Sequence, residues 1–417
     1  MKLRMLIVLL MTTGAWGQDL GSRTLAQQLL HKKTDERIRA YESRLAASPD
    51  DFQLQTGLIG AYLQKLRESA DYTYLDRASK LVDRMIEKDG GNATALRFQN
   101  EIDLQRHDFK AVAERASDMA KYAPSDPGTW GNLGDALMEL GEYQRAGDAY
   151  SKMFTLRPGL ASYNRMAYFR FVTGDAQAAV ALMRAAIEAG DPQPENTAWC
   201  WAELGDMYFK TGRLTEAADS YRAALNLFPT LHRAIGGLGK VSAARHDVPA
   251  AIREYERAES IVPMVEYAGA LEDLYSSAGM NGKADEQREL LRTIQQLGRA
   301  NNEKTNRNLA LLLADRNRNL PAALELMKAE IPTRGDVYTW DAFSWVLFKN
   351  GRVEEAKEAS EKALKFDTPE PVFYYHAAKI AAASGDEKRS LAYAGRLSSL
   401  NPRFDFGKTE LAMATVR

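Results

Sequence analysis

The sequence predicts an all-α fold, an α-α superhelix (solenoid) of stacked helical hairpins with capping helices. Three observations carry this expectation. Ala198 to Pro229, AWCWAELGDMYFKTGRLTEAADSYRAALNLFP, sets large apolar residues at Trp201, Leu204 and Tyr208 and small ones at Gly205, Ala217 and Ala224. Spacings of three and four place the large residues on one helical face, and the small ones sit where a second helix must approach closely. The same register returns from Asp126 to Pro158, with Trp130, Leu133, Gly134, Leu137, Gly141, Ala146 and Tyr150. Finally, six of the fourteen prolines, Pro49, Pro124, Pro158, Pro229, Pro263 and Pro402, fall at the closing position of a unit, where proline halts a helix. One hairpin of this size cannot bury its own apolar face, so recurrence is the condition for folding.

The run Trp-x2-Leu-Gly-x2-Tyr, followed by Ala217, Tyr221, Ala224 and Pro229, resembles the tetratricopeptide repeat, a unit of 34 residues. Repeat starts fall near Ala93, Pro127, Leu160, Ala198, His232, Val265, Glu303, Val337 and Pro371, at a period of 33 to 38. The resemblance covers roughly 51 to 402 and implies about nine to ten tetratricopeptide-like hairpins. It implies a binding surface, with no particular chemistry attached.

Taken in order, residues 1–17 combine Lys2 and Arg4, an apolar run from Met5 to Met11 and the small flanking pair Ala15 and Gly17. That is the pattern of a secretory signal peptide cut after Gly17, and the apolar run is too short to span a bilayer. The expected location is therefore periplasmic or secreted, without membrane insertion after cleavage; a retained anchor is the alternative. Residues 18–50 carry Leu25, Leu29, Ile38, Tyr41 and Leu45 on one face, an N-terminal capping region. The solenoid follows over 51–402. Its first repeat is stretched, and Glu68 to Tyr74 is expected to form an inserted loop. Loose joints are expected near 191–197 and 298–306, and Glu303 to Ile331 departs most from the pattern, with Asn306 at a usually large position and Pro321 in the first turn of a helix. Residues 403–417 are expected to form a C-terminal cap.

Composition narrows function. With 55 basic and 56 acidic residues the formal charge is −1, so no long-range field favours nucleic acid. Cys200 is the single cysteine, which excludes an internal disulfide, and between two tryptophans it is expected to be a small core residue. His107 and His246, each preceding Asp at the turn between paired helices, are expected to serve as turn residues and not as metal ligands. Gly236-Gly237-Leu238-Gly239-Lys240 lacks the first glycine and the final Ser/Thr of a phosphate-binding loop and falls within a repeat's first helix. No catalytic set, metal site or cofactor is expected, and the protein is not expected to be an enzyme.

Binding is expected on the concave face, which the resemblance assigns to the second, fifth, ninth, twelfth and thirteenth residues of each repeat. These positions hold the aromatic candidates Tyr168, Phe171, Trp199, Phe209, Tyr338, Trp345, Phe348 and Tyr375, each of which could instead pack against the neighbouring repeat. Small residues such as Gly131, Ala202, Gly236 and Gly269 stand between them, where they would let a ligand backbone approach. Rings give large contact area at low entropy cost. The expected function is an exported, non-enzymatic scaffold that binds a peptide or helix of an envelope partner, with a self-associating structural component as the alternative. The lysine and asparagine by which chaperone-binding members of the family grip a terminal carboxylate are missing from the fifth and ninth positions.

Overall fold

The computed structural model describes residues 25–29, 32–300 and 306–402, so the leader-like residues 1–17 and the expected cap at 403–417 lie outside the described part. Every regular element among the described residues is a helix. The chain divides into two compact units, the first ending at Ile102 and the second beginning at Asp103.

In the first unit, helices α1 (Thr34–Ala47), α2 (Phe52–Ser69), α3 (Thr73–Lys88) and most of α4 (Ala93–Gln105) enclose one core. Leu25, Leu29, Ile38 and Tyr41 are buried in it beside Leu58, Tyr62, Ala78 and Val82, and Leu45 packs partly buried against it. Asp51 starts α2 by accepting the backbone N–H groups of Gln53 and Leu54 at 2.9 and 3.0 Å, which satisfies donors that the first turn leaves unpaired. The loop expected at 68–74 is shorter than the sequence suggests. The extra residues lengthen α2 to Ser69, and only Ala70 to Tyr72 connect it to α3. Extending an existing helix adds one hydrogen bond per residue, whereas a solvated loop leaves those groups to water.

The second unit continues with α5 (Phe109–Tyr122), α6 (Pro127–Glu139), α7 (Tyr143–Leu156), α8 (Leu160–Val172), α9 (Ala176–Ala189), α10 (Pro194–Lys210) and α11 (Leu214–Leu227). Then come α12 (His232–Ala244), α13 (Val248–Ile261), α14 (Val265–Ser277), α15 (Asn281–Ala300), α16 (Arg307–Asp315), α17 (Leu320–Glu330), α18 (Val337–Lys349), α19 (Val353–Ala363), α20 (Pro371–Ala383) and α21 (Glu387–Leu400). Consecutive helices pair as hairpins, and the large-against-small rule holds at atomic distance. A Cβ placed on Gly205 of α10 would stand 2.6 Å from the Tyr221 ring of α11. Trp130, Trp201 and Trp340 are half-buried at equivalent places in their repeats, each against its local core.

The turn residues behave as expected: His107 and His246 both adopt φ +61°. Residues 236–240 lie inside α12, and Cys200 is fully buried, its thiol pushed up to about 12 by desolvation. Among the described residues no cluster of potential metal ligands occurs, and no helix is long and apolar enough to cross a membrane.

In the expected joint at 191–197 the next helix already begins at Pro194, because proline's missing N–H costs nothing in the first turn of a helix. Asn306, at the usually large position of the atypical repeat, caps α16 by accepting the Leu309 N–H at 2.9 Å. That repeat is correspondingly short, with α16 and α17 of nine and eleven residues.

Candidate functional site

The second unit closes on itself. Three successive turns between paired helices, at Gly141, Gly174 and Gly212, meet two successive inter-repeat connections and then the residue after the last described helix, all from much later in the chain. The Gly335 N–H donates to the Glu139 carbonyl at 2.9 Å. The Thr368 hydroxyl donates to the Val172 carbonyl at 2.6 Å, and the Asn401 amide donates to the Phe209 carbonyl at 3.2 Å. Each acceptor is a carbonyl in the last turn of a helix, where intrahelical donors run out; the Phe209 carbonyl also accepts the Gly212 N–H at 3.0 Å. The seam therefore caps α6, α8 and α10 from a distance.

Apolar packing seals it: Val337 and Phe373 share a buried cluster with Leu133, Leu137 and Val172, and Tyr143 meets Phe366 edge-on at 5.0 Å. The Tyr143 hydroxyl also accepts the buried Val337 N–H at 2.8 Å. Ion pairs line the inner lip, Arg334 with Glu139 at 2.7 Å and Lys210 with Glu370 at 2.5 Å. Burial alone would lower the Lys210 pKa, but the adjoining Glu370 carboxylate overrides it and leaves the ammonium firmly protonated.

Inside this closed turn lies a cavity of about 460 Å³. It is lined by first helices α6, α8, α10 and α12 on one side and by Arg307 and Tyr338 on the other. Of the eight aromatic candidates, Tyr168, Phe171, Trp199 and Tyr338 converge on this lumen. Phe171 is only 2% exposed, so it offers little more than an edge. Phe209 is half-buried against the core around α10.

Trp345, Phe348 and Tyr375 form a separate aromatic group. Trp345 is 4% exposed, lies parallel to His376 at 4.1 Å and donates its indole N–H to Asp315 at 2.7 Å. It packs in the core, the alternative that the sequence left open for each of these rings. The small residues differ from expectation: Gly236 makes room for the Tyr267 ring and Gly269 for Leu312, both from the following repeat, and Ala202 is fully buried. They admit neighbouring repeats and leave no trough for a ligand backbone.

The charges in the wall are arranged as pairs. Asp135 receives Arg165 through Nε and Nη2 at 2.8 to 3.1 Å. Arg233 spans Glu203 and Asp206, both at 2.7 Å, and its guanidinium lies 4.4 Å from the Trp199 ring centroid. Burial would raise Asp206, yet Lys240 and Arg233 hold it well below the usual carboxylate range. Burial dominates at Glu203 and leaves its carboxyl raised despite Arg233. Tyr168 is pushed far above its ordinary value by burial, so its phenol is a neutral hydrogen-bonding group. Arg165 and Glu203 occupy the sixth position of their repeats, outside the expected inward set; their opposite charges one repeat from Asp135 and Arg233 were the available signal.

Tetratricopeptide-repeat models match residues 91–161, 160–230 and 337–368. No curated protein matches the chain by sequence. Among solved structures, the Cut9–Hcn1 hetero-tetramer of the APC/C is similar at a TM-score of 0.50 and 14% identity, over 82% of this chain and 58% of that one. The chain thus spans somewhat under six-tenths of that relative, and the likeness concerns fold alone. BtubC from P. vanneervenii (TM-score 0.38, 16% identity, 46% of this chain and 92% of that one) and MamA (0.32, 20%, 39% and 92%) are similar over shorter stretches. With the family models on three stretches and the same helical hairpins continuing beyond them, the chain carries tetratricopeptide repeats on an α-α solenoid, and such repeats are modules of protein–protein interaction.

Proposed function

We propose that the protein is a non-catalytic scaffold whose lumen holds an extended segment of a partner protein. The observation that carries this reading is the convergence of Tyr168, Trp199 and Tyr338, from three separate repeats, on one cavity. Its volume, 460 Å³, lies within the ~300–1,000 Å³ of pockets that enclose compact ligands, enough for a few residues of extended chain. The leader-like pattern of Lys2, Arg4 and the apolar run after them supports action outside the cytoplasm on an envelope partner; a mature chain beginning elsewhere than Gln18 on N-terminal sequencing would count against it.

The test of the lumen is selection of peptides on the purified chain from a displayed library. Tyr168→Leu with Trp199→Ala should weaken the selected peptides by tenfold or more, about 1.4 kcal/mol, while the thermal midpoint stays close to wild type. Undiminished binding by the folded double variant would place the site elsewhere.

A further inference from the structure

The lumen wall divides its polar groups into two kinds. Each charge has its counter-charge within the protein: Asp135 with Arg165, Arg233 with Glu203 and Asp206, Lys210 with Glu370, Arg307 with Asp336 at 3.1 Å. Three neutral groups have none. The Asn164 carboxamide, the Tyr168 hydroxyl and the Trp199 indole N–H line the cavity without a hydrogen-bond partner among the described residues. Asn164 and Tyr168 are four residues apart on α8 and share one face, and Trp199 is on α10, the first helix of the next repeat.

A charged ligand could gain a partner here only by breaking a wall pair. The abandoned ion would then be left buried and uncompensated, a larger loss than the new pair returns. A neutral ligand meets no such cost, and it satisfies groups that the fold leaves open. A carboxamide offers one donor edge and one acceptor edge, so Asn164 can pair with both the C=O and the N–H of a peptide group.

Resting on the lumen as the binding site, we propose that it selects an uncharged, extended peptide segment, with a backbone amide on Asn164 and an apolar or aromatic side chain beside Tyr168 and Trp199. Discrimination is by neutrality: acidic and basic segments of the same length are refused.

The test uses the full chain and three acetylated, amidated pentapeptides with a central Phe, flanked by Ala and Gln, by Glu, or by Lys, with maltohexaose as a fourth probe. Titration calorimetry should show the uncharged peptide binding at least about tenfold more tightly than either charged one, and changing less than about twofold between roughly 0.15 and 0.5 M salt. Asn164→Asp keeps the shape and adds a carboxylate without a counter-ion; it should weaken the uncharged peptide about tenfold and favour the Lys peptide. If that variant does not fold, Asn164→Leu should give the same loss without the gain.

A charged peptide that binds wild type as well as the uncharged one, or an uncharged peptide indifferent to both substitutions, overturns the selectivity and leaves the lumen reading intact. Binding of maltohexaose alone, or of no probe, overturns both.

Discussion

Gly141 and Gly351 occupy the same place in their repeats, the turn between paired helices, and adopt φ of +76° and +77°. Around Gly351 no atom would lie within 4 Å of an added Cβ. At Gly141 the same Cβ would collide with the carbonyl of Gly335, a residue from a connection more than five repeats later. Local chemistry asks for glycine at both turns, since a left-handed backbone strains any side chain. Only one of them also bears the seam. Repeats that are equal as hairpins are therefore unequal as parts of the closed turn, and their energetic weights should differ accordingly.

The largest expected effect separates these two glycines. Gly351→Ala should cost only the left-handed strain, ~1–2 kcal/mol. Gly141→Ala adds a clash with fixed backbone, worth a further ~1–3 kcal/mol. Denaturant midpoints of the two variants check this, and equal losses would mean that the seam carries no stability.

Next is the inner lip. Lys210→Met strands the Glu370 carboxylate, which is 10% exposed, and should cost ~2–4 kcal/mol. Adding Glu370→Gln should restore at least half of it, because the cost belongs to the unpaired ion and not to the loss of attraction. A double variant as unstable as the single one would refute that account. The smallest effect concerns the cap supplied from afar. Thr368→Val keeps the shape of a fully buried side chain and removes its hydrogen bond to the Val172 carbonyl, for ~1–3 kcal/mol. Ser384→Ala at an unoccupied turn, where the hydroxyl bonds only its own helix, should stay within about 0.5 kcal/mol. If the two substitutions are equivalent, the seam hydrogen bonds are incidental.

The candidate site is partly legible in the sequence. Tyr168, Trp199 and Tyr338 reach the lumen because a ring at an inward position of a first helix has few other places to go. Trp345 occupies a similar position yet is drawn into the core by Asp315 and His376, partners that lie 30 and 31 residues away on the flanking repeats. The neutral trio emerges only when the wall charges are seen to pair with each other. Arg165, Arg233 and Lys210 stand far in sequence from the carboxylates that answer them, which come from different repeats.

What the sequence by itself determined is the hairpin and its repetition. The Gly205–Tyr221 contact, the turn at Gly212 and the closing prolines each rest on interactions within some 34 residues, and period and residue size suffice to state them. What only the tertiary structure decided is that the second unit returns to itself. The bonds that close it join residues 192, 194 and 196 positions apart, and their alignment depends on small rotations accumulated from one repeat to the next. No periodicity encodes that sum. Thr368 and Asn401 therefore look like ordinary loop residues until the chain comes round to meet the carbonyls they cap.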